Sequence, residues 1–122
     1  MQLIGAELTH LEPATCEIRL PFRSNLTQQD GFFHAGIIST IADSAGGYAA
    51  YTLMPPGSRV LTVEYKINLL APADGDLLIA RGRAAKSGRT LTVCEVSVDI
   101  EKAGRSKLCA TMLQTLICLS AP

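Results

Sequence analysis

One apolar stretch, Ala35 to about Leu53, constrains this chain more than any other part of it. Ile37, Ile38, Ile41, Ala45 and Tyr48 recur three and four positions apart, which is the spacing of one helix face. Pro55-Pro56-Gly57 stops the helix, because proline brings no N–H and its ring clashes with the preceding turn. So long and apolar a helix must be covered, and the remaining sequence offers strands to cover it. Cys16, Ile18, Leu20 and Phe22 alternate with Glu17, Arg19 and Pro21. Leu61, Val63, Tyr65, Ile67 and Leu69 alternate with Thr62, Glu64, Lys66 and Asn68. Further strands are expected over Leu77 to Ala85, Thr90 to Glu101 and Lys107 to Cys118, with a less regular one over Leu3 to Thr9. The short turns Pro72-Ala73-Asp74-Gly75, Lys86-Ser87-Gly88-Arg89 and Ala103-Gly104-Arg105 imply antiparallel pairing. Ser24 to Phe33 reads as a loop. The expectation is an α+β layer, with one long helix on the concave face of one antiparallel sheet.

At 122 residues the chain is expected to form a single domain, 1–122, with one core. Eleven basic residues balance eleven acidic ones, which argues against a nucleic-acid binder, since that needs a basic face to displace counterions. With 48% hydrophobic residues and no net charge, part of the apolar surface calls for a partner subunit. The opening MQLIGAELTHLEP has no basic n-region and does not read as a secretory signal. Ala35 to Met54 is about as long as a membrane span, but Asp43 and the many small residues favour a buried helix of a soluble protein over a span. Cys16, Cys94, Cys109 and Cys118 show no CxxC spacing and only two histidines are present. They read as reduced thiols packed as small hydrophobes in a cytoplasmic protein, with no metal site and no bound cofactor.

Asp43 is the sole charge between Ala35 and Leu53. Gly36, Ser39, Thr40, Gly46, Gly47 and Ala50 are taken to share its face, with Ile37, Ile41, Ala45 and Tyr48 on the face that meets the sheet. A lone aspartate on a helix usually points to water. A solvated face normally carries Lys, Glu and Gln, however, and this one carries small residues. Gly46-Gly47 costs helix stability, ~1 kcal/mol per glycine, which calls for close approach by another backbone or a slender ligand. His34 stands at the helix mouth, as a cap or something more. The first N–H groups of a helix lack internal partners and carry the positive end of the dipole. Ala35, Gly36 and Ile37 can thus offer N–H groups to a carbonyl oxygen that becomes negative during reaction. His34 and Asp43 are nine residues apart, or ~13 Å along the axis. Two chains packed helix against antiparallel helix would bring one chain's Asp43 near the other's Ala35.

The element order and the motif Gly31-x-x-His34-Ala35-Gly36, with Asp43 nine residues after the histidine, resemble the hot-dog-fold acyl-CoA thioesterases, and in particular their phenylacetate-degradation branch. Leu70-Ala71-Pro72-Ala73 and Ser87-Gly88-Arg89-Thr90 extend the likeness along essentially the whole chain. The resemblance implies a sheet wrapped round a central helix, a homodimer with a continuous sheet that assembles to a homotetramer, and hydrolysis of a fatty- or aryl-acyl-CoA thioester. Coenzyme A then belongs to the substrate rather than being a cofactor. Asp43 falls at the catalytic carboxylate, as nucleophile or as general base on water. Ala35 falls where a backbone N–H polarises the thioester carbonyl, and Gln28 where the family often has an asparagine. Thr62 falls where some members have a serine contributed by the partner chain. Gly36 and the turn Ser87, Gly88, Arg89, Thr90 fall on the substrate side, with Arg89 where coenzyme A phosphates are met. The sequence departs from the usual His-Gly-Gly by placing Ala35 at its centre, and Gln28 is one methylene longer than asparagine.

Two other readings keep the fold and change the activity. One is a non-catalytic acyl-CoA binding module. The other is an acyl-thioester dehydratase or hydratase, which the motif fits less well. Arg81, Arg83, Lys86 and Arg89 form a basic run that either meets phosphates or is ordinary surface charge.

Overall fold

The computed structural model describes residues 1–120. A 3-10 turn (Gln2–Ile4) leads into β1 (Glu7–Glu12) and β2 (Thr15–Pro21). A second 3-10 turn (Ser24–Leu26) and a loop precede α1 (Ala35–Tyr51). Four strands follow: β3 (Arg59–Leu69), β4 (Leu77–Ser87), β5 (Leu91–Lys102) and β6 (Arg105–Leu119). All pairings are antiparallel, in the order β1-β2-β4-β5-β6-β3. α1 lies across one face of this six-stranded sheet, which is the hot-dog fold. The expected Leu3–Thr9 strand begins only at Glu7, because Gln2–Ile4 curls into the 3-10 turn that ends at Gly5 with φ +83°. Among the described residues no helix is long and apolar enough to cross a membrane.

The core lies between α1 and the sheet. Ile18 and Leu20 from β2, Leu78 and Ala80 from β4, Val96 and Val98 from β5, and Met112 from β6 meet Ile38, Ile41, Ala42, Ala45 and Ala49. The helix face therefore differs from the one the spacing suggested. Ile37 is only half-buried and Tyr48 is exposed, while alanines make the contact. The cause is a very short helix–sheet distance. A Cβ on Gly82 of β4 would sit 2.5 Å from the Ala45 carbonyl oxygen, and a Cβ on Gly46 would collide with the Gln114 side chain. So Gly46 makes room for a side chain of the chain's own sheet, and Gly82 makes room for the helix backbone.

Two features of the sheet position the site. β3 pairs only with β6, so its other edge is free among the described residues. Register shifts between Thr62 and Glu64, making Val63 a bulge residue. The bulge reverses the facing of the strand. Val60 and Thr62 pair opposite Cys118 and Leu116, whereas Tyr65 and Ile67 pair opposite Gln114 and Met112. All four residues thereby face α1, which an unbroken alternation through β3 would not allow. On the far face, Glu17 binds Arg19 and Arg81, Arg81 binds Asp99, and Arg83 binds Glu95. The expected basic run is thus neutralised at Arg81 and Arg83 by carboxylates on neighbouring strands. A hydrogen bond from Thr9, with Arg19 and Arg81 adding to it, holds the Glu17 carboxyl below the usual range despite partial desolvation.

Candidate active site

Asp43 occupies the third turn of α1 and its carboxylate is tied to the sheet. Thr62 Oγ1 donates to Asp43 Oδ1 at 2.7 Å. Gln114 Nε2 donates to the same oxygen at 2.5 Å and to the Asp43 main-chain carbonyl at 3.2 Å. Gln114 Nε2 also lies 3.3 Å from Thr62 Oγ1. The three side chains close a triangle from helix, edge strand and neighbouring strand. Among the described residues no donor reaches Asp43 Oδ2. The carboxylate borders a cleft of about 350 Å³ lined by Ser44, Gly47, Tyr48, Tyr51, Val60, Thr62 and Leu116. At Gly47 an added Cβ would meet nothing closer than Leu116 at 3.8 Å, so this glycine leaves the cleft floor open. An anionic oxygen beside an apolar, tyrosine-walled cleft can act on an electrophilic carbon or take a proton from water.

The resemblance supplied Thr62 from a partner chain, but here it binds Asp43 of its own chain. The bulge at Val63 explains this, since it turns Thr62 inward at the point where β3 passes α1. Gln114 was not anticipated. Its sequence signal is a polar residue at an inward register, between Met112 and Leu116 on β6.

A second constellation forms at the helix start. His34 is the N-cap, with φ −66° and ψ 140°, and its Nδ1 accepts from Gly36 N–H at 2.9 Å. His34 is thereby engaged as a cap. Its own N–H donates to Leu26 and its carbonyl receives Ile37 and Ile38. With Gly36 N–H used, the Ala35 N–H is the one left at the helix end with no acceptor among the described residues. Ala35 is exposed and borders a cleft of about 300 Å³ with Ile38, Leu69, Leu70, Ala71, Pro72 and Ala73. Gln28 sits in the preceding loop. Its Oε1 accepts from the N–H groups of Asp30 and, at 3.4 Å, Phe32, so that end of the amide shapes the loop.

The remaining expected residues lie at the far end of the helix. Ser87 ends β4, and Gly88 N–H closes the hairpin on Leu91 at 2.8 Å. Arg89 and Thr90 border a cleft of about 430 Å³ with Pro55, Pro56, Ser58, Cys118 and Ser120. Cys118 is the strand partner of Val60, which lines the Asp43 cleft. The Ala35 cleft shares no lining residue with either. The structure thus brings Asp43 together with Thr62, and His34 with Ala35 and Gly36, but keeps the two groups apart within one chain.

The cysteines take no part. All four are unpaired, and burial pushes Cys16, Cys94 and Cys109 up to about 11, too high for a thiolate nucleophile near neutral pH. Among the described residues no three His, Cys, Asp or Glu side chains converge as metal ligands would.

A helix end with a free N–H, a carboxylate in the helix middle and a wrapping sheet describe a hot-dog hydrolase. The family comparison agrees: the thioesterase superfamily matches residues 30–107. This chain belongs to the thioesterase superfamily. A thioesterase family protein from Silicibacter pomeroyi superposes with a TM-score of 0.98 at 45% identity, over 99% of this chain and 89% of that one. A protein of Saccharolobus solfataricus, provisionally named an esterase, is 33% identical over 93% of this chain and 73% of its own length. The 1,4-dihydroxy-2-naphthoyl-CoA hydrolase of Listeria monocytogenes is 25% identical over 82% of this chain and 81% of its own. These relatives point to a hydrolase acting on thioesters.

Proposed function

We propose that the protein hydrolyses an acyl-CoA thioester at a site shared between two chains. The observation that carries this is the Asp43 carboxylate, with Oδ1 held by Thr62 and Gln114 and Oδ2 left for the cleft. Asp43 Oδ2 attacks the thioester carbonyl carbon itself or draws a proton from the water that does. The carbonyl oxygen becomes negative and is met by the Ala35 N–H at a helix start, where the dipole reinforces it. The carbon–sulfur bond then breaks and the CoA thiolate takes a proton. Direct attack passes through an anhydride that water cleaves. Single turnover in isotope-labelled water tests for direct attack, because only an anhydride that water opens at the Asp43 carbonyl leaves label in Asp43.

Within one chain Ala35 and Asp43 border separate clefts. The free edge of β3 supports a second chain. Its eleven residues pair on one side only, and Leu61, Val63, Tyr65 and Leu69 are 44–56% exposed there. Joining two such edges continues the sheet across a homodimer and runs the two α1 helices antiparallel, after which dimers pair as a homotetramer. Four unpaired thiols fit a reducing compartment, the cytoplasm. Arg89 lines the cleft beyond the end of α1, where it can meet a phosphate of coenzyme A. Tyr48 and Tyr51 wall the cleft, and the Listeria relative is named for an aromatic acyl-CoA. Both favour an aryl-acyl substrate and the phenylacetate-degradation branch.

The test is thiol release from a panel of acetyl- to palmitoyl-CoA together with phenylacetyl- and benzoyl-CoA. Aryl-CoA is expected to turn over fastest. Asp43→Asn is expected to lower kcat about a thousandfold with the fold intact. Binding of every thioester without thiol release would make the protein a binding module instead.

A further inference from the structure

We propose that Gln114 is the positioning residue of the Asp43 carboxylate, fixing which oxygen faces the substrate. This rests on the reading of Asp43 as the reacting group. Gln114 is fully buried on β6, so it acts through Asp43 and Thr62 rather than on substrate.

Its orientation is determined by its neighbours. The Asp43 main-chain oxygen can only accept a hydrogen bond, and so can an ionised carboxylate oxygen. Both lie within reach of the Gln114 amide, so the nitrogen end must face them. Thr62 gives its hydroxyl hydrogen to Asp43 Oδ1, and its oxygen lies 3.3 Å from the Gln114 nitrogen, whose two hydrogens are directed at Asp43. Asp43 Oδ1 is therefore saturated by two donors, and the plane of the carboxylate is set. Oδ2 is the atom left to react.

The other end of the amide shows what this arrangement gives up. Gln114 Oε1 is buried with no donor among the described residues. It lies against Gly46, where any Cβ would collide with it. The flanking inward residues, Met112 and Leu116, fill the same layer with no polar atom that needs a partner. A position selected for packing alone would hold a third such residue. Here the amide is kept, one end is unsatisfied, and the helix accepts a glycine to make room. All three follow if the nitrogen end is needed at Asp43.

The test compares Gln114→Met, Gln114→Glu and Asp43→Asn in the whole chain, with phenylacetyl-CoA as probe and oligomeric state and circular dichroism as controls. Gln114→Met keeps the length and loses the donor. Its kcat is expected to fall roughly tenfold or more, with KM changed less than about twofold. Gln114→Glu sets a second carboxyl against Asp43, so the acid limb of the rate profile should move to higher pH. Tyr48 and Tyr51 are the other titratable groups lining that cleft. A well-folded Gln114→Met protein with wild-type kcat and rate profile, beside an inactive Asp43→Asn, overturns the proposal alone. An active Asp43→Asn overturns the reading beneath it. If Gln114→Met does not fold, the wild-type protein decides. The Gln114 side-chain amide resonances should move with pH as the carboxylate titrates and stay still in Asp43→Asn. Resonances that ignore pH in the wild type overturn the proposal.

Discussion

The start of α1 and its middle offer opposite halves of one chemistry. At the start, Ala35 presents an N–H with no acceptor among the described residues, in an exposed cleft whose lining includes no acidic or basic side chain. In the middle, Asp43 presents a carboxylate oxygen in a cleft whose lining includes no basic side chain and no helix start. The first can stabilise negative charge but cannot generate a nucleophile. The second can attack or activate water but has nothing to hold the oxyanion. Just over two turns of helix, about 12 Å, separate them, and a straight helix cannot fold back on itself to join them. In the proposed mechanism each half is completed by an antiparallel second helix that supplies the other.

Substitutions sharpen this contrast. The largest effect belongs to Asp43→Asn, the thousandfold loss already described, because no other side chain of the middle cleft replaces a carboxylate. Ala35→Pro comes next. Proline is welcome at the first helical position, and His34 already has the extended ψ that a residue before proline adopts. The substitution therefore deletes the N–H while sparing the helix. A kcat loss of about a hundredfold is expected with melting temperature nearly unchanged. A rate near wild type would show that Ala35 N–H is not the oxyanion donor. His34→Ala should do the reverse, removing the acceptor of Gly36 N–H. It should lower stability by ~1 kcal/mol in thermal or urea unfolding and change kcat less than Ala35→Pro does. A His34→Ala loss as large as that of Asp43→Asn would give the histidine a chemical part.

Much of this arrangement was legible in the sequence because it depends on local patterns. The helix limits followed from His34 at one end and Pro55-Pro56 at the other, and α1 ends two residues before the expected Leu53. Gln114 was hidden by longer-range effects, and Thr62 came from the family resemblance rather than from its strand pattern. An unbroken alternation makes Thr62 an outward residue, and only the bulge at Val63 turns it toward Asp43. Gln114 sits in an otherwise apolar inward row, and nothing near it in sequence shows that a helix carboxylate lies opposite. The helix face was misjudged for a related reason. Bulky Ile37 and Tyr48 looked like core, but Gly82 and Gly46 bring helix and sheet so close that alanines fill the layer. The stripe of small residues was therefore serving two surfaces, Gly46 the sheet and Gly47 the cleft.

Mixing two disabled proteins tests the shared site most directly. The Asp43→Asn and Ala35→Pro proteins are each expected to be nearly inactive. After subunit exchange, half the dimers are mixed, and each mixed dimer holds one site with both groups intact. The account predicts recovery to about a quarter of wild-type kcat, from one good site in half the molecules. If exchange is confirmed by mass and activity stays at the sum of the two parents, the site does not span two chains.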